Sequence, residues 1–249
     1  MSELPTKRLK DNEMKIHGIN GLTLLDFPGK MACTIFTGHC NFRCPFCHNA
    51  TLVLNPDSQP LIPEDSVFEL LEKRAGRLEG VAITGGEPTL NKDLPEFCAK
   101  IKEKGLLIKL DTNGYNPGMV KELIDKKLVD CIAMDIKAAP ENYAAATGLA
   151  SFNMDPIFES TDLITDSGAK GLIDYEFRTT VVGGIHTEND FAKIGKWLKG
   201  AKAYFLQGYR EGNDQIDAHG LSIVPVDTME HYKEILLPFI PNTQLRGVV

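Results

Sequence analysis

Short apolar segments rich in β-branched residues recur along the chain and alternate with stretches whose apolar residues repeat at helical spacing. The extended segments fall near 31–37 (MACTIFT), 80–84 (GVAIT), 106–111 (LLIKLD), 130–136 (DCIAMDI), 174–182 (DYEFRTTVV) and 202–207 (AKAYFL). Between them, Val67, Leu70 and Leu71 stand at i, i+3, i+4. Leu94, Phe97, Cys98 and Ile101 carry the same stripe to i+7, and Phe191, Ile194 and Leu198 repeat it. Such stripes predict helices with one face turned to a sheet, and weaker helical patterns lie at 118–127, 155–167 and 228–237. The extended segments read as buried runs rather than clean alternation, as expected when helices cover a sheet. Six βα units after an apparent hairpin around KIHGINGLTLLDFPGK predict a parallel sheet.

Right-handed crossovers curl such a chain into a doubly wound sheet or into a barrel. Six units fall short of the eight that close a TIM barrel. The expectation is therefore an α/β fold, a partial (β/α)6 TIM-like barrel with an N-terminal hairpin and a lateral mouth. No Pro/Ser-rich linker or composition break divides the units, so residues 14–249 read as a single domain and 1–13 as a mobile tail.

Composition narrows the function classes. With 249 residues, 43% of them hydrophobic and 24% charged, the chain can build a full core. A formal charge of -7 without clustered Lys and Arg argues against a broad nucleic-acid-binding face. The opening MSELPTKRLKDNE has no apolar signal region and no apolar run approaches the length of a membrane span, which predicts a cytoplasmic protein that does not enter a membrane. Six cysteines are too few for a disulfide scaffold, and three of them within eight residues point to metal.

The unusual polar and glycine-rich sequences sit just after the expected strands. The cysteine loop follows the first, GGEPT the second, DTNG the third, MDIK closes the fourth, VVGG follows the fifth and QGYREG the sixth. All therefore converge on the rim formed by the carboxyl ends of the strands, where barrel-like folds carry their active sites.

On that rim FTGHCNFRCPFCHN places Cys40, Cys44 and Cys47 together without a fourth cysteine nearby. Structural zinc usually takes four protein ligands, and Cys33, Cys98 and Cys131 are scattered over expected strands and a helix, where single cysteines behave as small core residues. An iron-sulfur cube takes one thiolate per iron, so three thiolates leave one iron open to a substrate or cofactor.

The C-x3-C-x2-C spacing resembles the cluster motif of the radical S-adenosylmethionine superfamily. LLDFPGKMACTIFTGHCNFRCPFCHN together with TGGEPTL, LDTNG and MDIK is similar to the activating enzymes of glycyl radical enzymes, most like the anaerobic ribonucleoside-triphosphate reductase activating protein type. The likeness runs from about residue 14 to 210 with the motifs in family order. It implies one four-iron, four-sulfur (4Fe-4S) cluster, because the 37 residues between Cys47 and Gly85 lack a further cysteine-rich insertion. It also implies that S-adenosyl-L-methionine is reductively cleaved to methionine and a 5′-deoxyadenosyl radical, which takes a hydrogen from a glycine of the partner. That partner is anaerobic ribonucleotide reductase on the first reading; pyruvate formate-lyase, another glycyl radical enzyme or a small molecule is the alternative, and a non-catalytic metal-binding protein is the rival of a different class. The implied electron donor is flavodoxin or ferredoxin.

Carried onto this chain, the resemblance makes Cys40, Cys44 and Cys47 the cluster ligands and the catalytic core. Phe46 lies near the adenine, or serves as a hydrophobic plug for the loop. Gly85 and Gly86 admit the methionine amino group to the backbone, with Glu87 and Pro88 shaping that edge, and Asp111 and Asn113 lie toward the ribose. Asp111, Thr112, the Met134 main chain and Asp135 match a monovalent cation site; a capped turn with a lysine-paired aspartate is the alternative. Lys137, two residues past Asp135 and on the same side of a strand, meets the cofactor carboxylate or simply pairs with Asp135. Arg178 is a further candidate for that carboxylate or for the substrate backbone. His48 and Asn49 follow the last cysteine as supporting groups, His39 has no assigned role, and Gln207 or Tyr209 stands where some relatives place a histidine over the cofactor.

Overall fold

The computed structural model describes residues 13–212 and 214–248, so the expected tail lies, apart from Glu13, outside the described residues. Met14 is already fully buried, and its N–H donates to Glu64 Oε1 at 2.7 Å.

Eight strands form one sheet in sequence order: β1 (Ile16–Thr23), β2 (Ala32–Thr37), β3 (Gly80–Gly85), β4 (Leu107–Thr112), β5 (Cys131–Asp135), β6 (Asp174–Val181), β7 (Tyr204–Gly208) and β8 (Thr243–Arg246). β1 and β2 are the antiparallel hairpin, with Ile19 opposite Ile35; every later pairing is parallel. β1 and β8 are the two ends of the strand order, so the barrel stays open between them. The helices are α1 (Ala50–Leu54), α2 (Glu64–Lys73), α3 (Leu94–Glu103), α4 (Pro117–Asp125), α5 (Tyr143–Thr147), α6 (Asp155–Ala169), α7 (Glu188–Trp197) and α8 (Val226–Leu236). Among the described residues no helix is long and apolar enough to cross a membrane.

Local chemistry explains the helix starts. Asn116 caps α4 by accepting the Met119 N–H, and Thr187 and Asp190 form a capping box on α7. The stripe of α3 is buried at all four expected positions and that of α7 at Phe191, Ile194 and Leu198. On α2 the buried apolar residues are Val67 and Leu71; Leu70 is half-exposed, and Phe68 instead packs on Phe97 with ring centroids 5.6 Å apart.

The strands depart from the expectation of uniformly apolar runs. β4 and β6 do alternate: Ile108, Leu110 and Phe177 are apolar and fully buried, while Lys109, Asp111, Glu176 and Arg178 share the opposite, interior face. The alternation escaped notice because charges that are paired inside a barrel are buried too: the Lys109 side chain is 2% exposed and Arg178 12%. Of the three cysteines expected in the core, Cys33 and Cys98 are fully buried and Cys131 is half-buried.

The sheet carries one parallel strand more than six units predict. β8 has only four residues, TQLR, too short and polar to read as a run. It is fastened by Arg246, whose guanidinium meets both oxygens of Glu176 at 3.0 and 3.1 Å and stacks 3.7 Å from the Phe205 ring. Arg246→Ala should therefore lower stability by about 1–2 kcal/mol, a value discounted for the partial exposure of Arg246. Urea unfolding measures this, and a loss below about 0.3 kcal/mol would mean that the bidentate pair does not hold β8.

Candidate active site

One cleft at the carboxyl ends of the strands collects the expected site residues. It is lined by Cys40, Cys44, Phe46 and Cys47 after β2, by Gly85, Gly86 and Glu87 after β3, by Asp111, Thr112 and Asn113 at the end of β4, and by Asp135, Lys137 and Arg178 from β5 and β6. Pro88 and Met134 lie behind this wall. Pro88 opens a single 3-10 turn capped by Glu87, and the Met134 side chain packs against Gly114. Gln207 and Tyr209 do not line the cleft. Tyr209 is buried with its hydroxyl 2.7 Å from Gln215 Oε1 and its ring 6.0 Å from His48. The chain beyond it returns to the cysteine loop, where Asp214 Oδ1 accepts from Thr51 Oγ1 and the Asp217 N–H donates to the Pro45 carbonyl, both at 3.0 Å.

The cysteine loop is set by backbone contact. His39 adopts a left-handed φ of 62°, and its carbonyl accepts the Glu87 N–H at 2.7 Å, while Gly86 N–H reaches the Thr37 carbonyl at 2.8 Å. A Cβ on Gly86 would stand 1.9 Å from the His39 oxygen, and one on Gly85, at φ 120°, would stand 2.4 Å from the Thr37 backbone. The two glycines thus exist first to let the cysteine loop lie on the end of β3. Asn49 adds a tie from its Nδ2 to the Gly85 carbonyl at 2.9 Å, and Phe42 anchors the loop against Tyr115 and Phe152 at 5.6 and 5.4 Å.

Glu87 joins this contact to β4. Its fully buried carboxylate accepts from Thr89 N–H and Oγ1, from Thr112 Oγ1 at 2.7 Å and from the Asn113 N–H at 2.6 Å. Burial pushes its pKa up and these donors oppose the shift. Asn113 in turn donates to Asn41 Oδ1 at 2.7 Å and approaches Cys40 Sγ at 3.8 Å.

The three thiols share the cleft, and none is in a disulfide. Burial, with Glu87 adding to it, pushes Cys40 up to about 11, and burial, with the neighbouring thiols and Asp135 adding to it, takes Cys44 to about 12; Cys47 is raised chiefly by burial. Lys137 opposes the shift at all three, and the Phe42 N–H, 3.3 Å from Cys40 Sγ, opposes it there. No other cysteine lines the cleft. Among the described residues no three His, Cys, Asp or Glu side chains are grouped for one metal ion. Three thiols lining one cleft suit a cube that takes one thiolate per iron better than a single ion, so the donor set fits the expected cluster.

The carboxylates opposite the sulfurs do not fit the expected cation. Arg178 bridges Asp111 and Asp135, Lys109 also binds Asp111, and Lys137 Nζ lies 3.0 Å from Asp135 Oδ2. Thr112 Oγ1 is engaged by Glu87 and by the Gly114 N–H at 3.1 Å. Of the two readings of Asp111, Thr112, Met134 and Asp135, the hydrogen bonds in the structure are those of the lysine-paired aspartate, with protein cations on both carboxylates.

His186 is the functional neighbour that sequence reasoning missed. Its Nδ1 accepts the Val182 N–H at 3.0 Å, which assigns the proton to Nε2, and that nitrogen meets the Lys137 carbonyl at 2.8 Å. Burial lowers its pKa, and its ring lies edge-on to Phe46 at 6.4 Å. It thus braces the segment carrying Lys137 where the sheet ladder ends. A lone histidine five residues past a strand carries no signal from which this could be read.

Comparison with known proteins bears on the same region. The sequence profile of the Radical SAM superfamily matches residues 34–198. A protein of Methanocaldococcus jannaschii named as a glycyl-radical enzyme activating enzyme is 30% identical over 236 residues, 94% of this chain and 96% of that protein. A pyruvate formate-lyase-activating enzyme of Clostridium pasteurianum is 31% identical over 205 residues, 78% and 82% of the two chains. Among solved structures, a radical SAM methyltransferase from Sphaerobacter thermophilus superposes with a TM-score of 0.67 at 15% identity, covering 89% of this chain and 67% of that one, a likeness of fold.

The close backbone approach generates a test. Gly86→Ala should lower stability by more than about 3 kcal/mol and cut the iron retained after anaerobic reconstitution to below roughly half. Gly118→Ala in α4, where the nearest atom lies 3.7 Å from the added carbon, is the neutral control. Unchanged melting and iron content in Gly86→Ala would remove the contact from the argument.

Proposed function

The chain belongs to the Radical SAM superfamily, among its glycyl-radical enzyme activating enzymes, and from that premise we propose that it activates anaerobic ribonucleotide reductase by installing a glycyl radical on it. The family implies a 4Fe-4S cluster and S-adenosyl-L-methionine. The observation that carries the reading is a cleft with three sulfurs on one side and a buried row of charges on the other. Three thiolates leave one iron open, and the charged wall suits the amino-acid end of the cofactor.

In this reading Cys40, Cys44 and Cys47 hold the cluster. The Gly85–Glu87 main chain borders the methionine amino group, and Lys137 and Arg178 face its carboxylate. Asp111 and Asn113 lie toward the ribose, and Phe46 closes the adenine side while His186 keeps its ring in place. When bound, the cluster supplies the electron that splits the sulfonium into methionine and a 5′-deoxyadenosyl radical, which takes a glycine Cα hydrogen from the partner to give 5′-deoxyadenosine. Flavodoxin or ferredoxin is the donor in this reading, the site of action is the cytoplasm, and residues 14–249 act as one domain around the continuous sheet. The hairpin and cysteine-loop sequence supports the reductase as partner; the Clostridium relative makes pyruvate formate-lyase the second reading.

The test is anaerobic electron paramagnetic resonance on reduced, reconstituted protein mixed with S-adenosyl-L-methionine and purified anaerobic ribonucleotide reductase or pyruvate formate-lyase, with 5′-deoxyadenosine assayed in parallel. A radical on the reductase and none on the lyase is the expected outcome. The reverse would assign the lyase, and cleavage with neither radical would remove both partners. Cys44→Ala should abolish 5′-deoxyadenosine formation; retained cleavage would end the assignment of that cysteine to the cluster.

A further inference from the structure

Asp111 at the end of β4 and Asp135 at the end of β5 face each other across Arg178 of β6. Arg178 Nη1 is 3.1 Å from Asp111 Oδ2, and its Nε is 2.9 Å from Asp135 Oδ1. The two remaining carboxylate oxygens are taken as well: Lys109 Nζ donates to Asp111 Oδ1, and Lys137 Nζ is 3.0 Å from Asp135 Oδ2. This is a largely buried network: the side chains of Lys109, Asp111, Lys137 and Arg178 are 2%, 14%, 16% and 12% exposed, and Asp135, at 31%, is its most open member.

A monovalent cation needs oxygen atoms with lone pairs to spare. Here each carboxylate oxygen already accepts from a cationic N–H. Within this cluster three protein cations stand against two carboxylates, an excess of one positive charge without any ion; Lys137 and Arg178 line the cleft and Lys109 lies behind it. A further cation would raise that excess to two inside a low-dielectric barrel and would have to share each oxygen with a cationic donor already there.

We propose that Arg178, with Lys109 and Lys137, takes the place of a monovalent cation in this chain, so that the carboxylate end of the cleft's ligand is met by fixed guanidinium and ammonium charge and binding needs no monovalent ion. The protonation of the set agrees. Burial alone would raise the Asp135 carboxyl, yet Arg178 and Lys137 outweigh it and hold it down at about 2. Burial works against the charge on Arg178 as well, and Asp111 and Asp135 reverse it.

The decisive experiment is thermal unfolding of the whole protein in potassium, sodium and choline chloride at equal ionic strength, because an ion that binds only the folded state raises the melting temperature by mass action. Wild type should melt within about 1 °C in the three salts. A rise of several degrees specific to potassium or sodium would overturn the inference. Arg178→Met should acquire such an ion-specific rise, and failure to acquire it would show that the guanidinium does not fill an ion's place. Arg178→Lys, which keeps a charge in the gap, should stay as indifferent as wild type, and an ion-specific rise in that variant would count against the inference.

A second arm rests on the proposed cofactor reading. The dissociation constant of S-adenosyl-L-methionine for the cluster-loaded enzyme should agree within about twofold across the three salts; a loss of fivefold or more in choline would overturn the inference. Absence of binding in every salt would instead refute the cofactor reading, and the melting comparison would still decide the question of the ion.

Discussion

The site depends on a backbone contact. The cysteine loop can lie on the end of β3 only because Gly85 and Gly86 carry no Cβ, and the contact is closed by the Glu87 N–H on the His39 carbonyl at 2.7 Å. The tie from the sulfur side to β4 is fastened to it. Glu87 turns its carboxylate away from the loop to gather Thr89, Thr112 and the Asn113 N–H, and Asn113 reaches back to Asn41 and Cys40. A buried carboxylate is costly to desolvate, and only a full set of donors offsets that cost. The return is therefore mainly in geometry: the end of β4 is pinned to the thiol loop in a single arrangement.

The rim is not equally firm all round. From β2 to β6 it is held by buried main-chain contacts and by hydrogen bonds such as Thr179 Oγ1 to the Ile136 carbonyl at 2.6 Å and His186 to the Lys137 carbonyl. On the β7 side, the chain after Tyr209 spans the gap with an exposed Thr51–Asp214 bond and the Asp217–Pro45 contact. Exposed polar contacts contribute little each. Local opening free energies therefore fall toward the seam between β8 and β1 and rise toward the cysteine loop and Glu87.

Much of this was legible in the residues. The hairpin, six parallel strands and the principal helices follow from period and punctuation, and the cysteine loop, GGEPT, DTNG and MDIK fall on one rim because each follows a strand. β8 was not legible: TQLR is neither long nor apolar, and what makes it a strand is a pair to Glu176, far along the chain. His186 escaped for a similar reason, since its meaning lies in two main-chain partners and in Phe46. Gly85 and Gly86 were legible as glycines the rim requires, but their close approach to the Thr37 and His39 backbone was not, because a sequence does not say which backbone approaches which. The convergence of Asp111 and Asp135 was legible, but the guanidinium that joins them was not, because it comes from β6.

That guanidinium also bears on Lys137, a cation between the two sides of the cleft. It opposes the burial of all three thiols and pairs with Asp135. A single ammonium shared between sulfur and carboxylate would be largely neutralised by the nearer carboxylate. Arg178 changes the division, because its Nε already covers Asp135 Oδ1 while its Nη1 covers Asp111. Asp135 then needs only one of the three lysine N–H donors, and the lysine lines the cleft with the others. The charge balance of the interior therefore favours an anion between the sulfurs and β6, and it does so with groups fixed on three adjacent strands rather than with mobile ions.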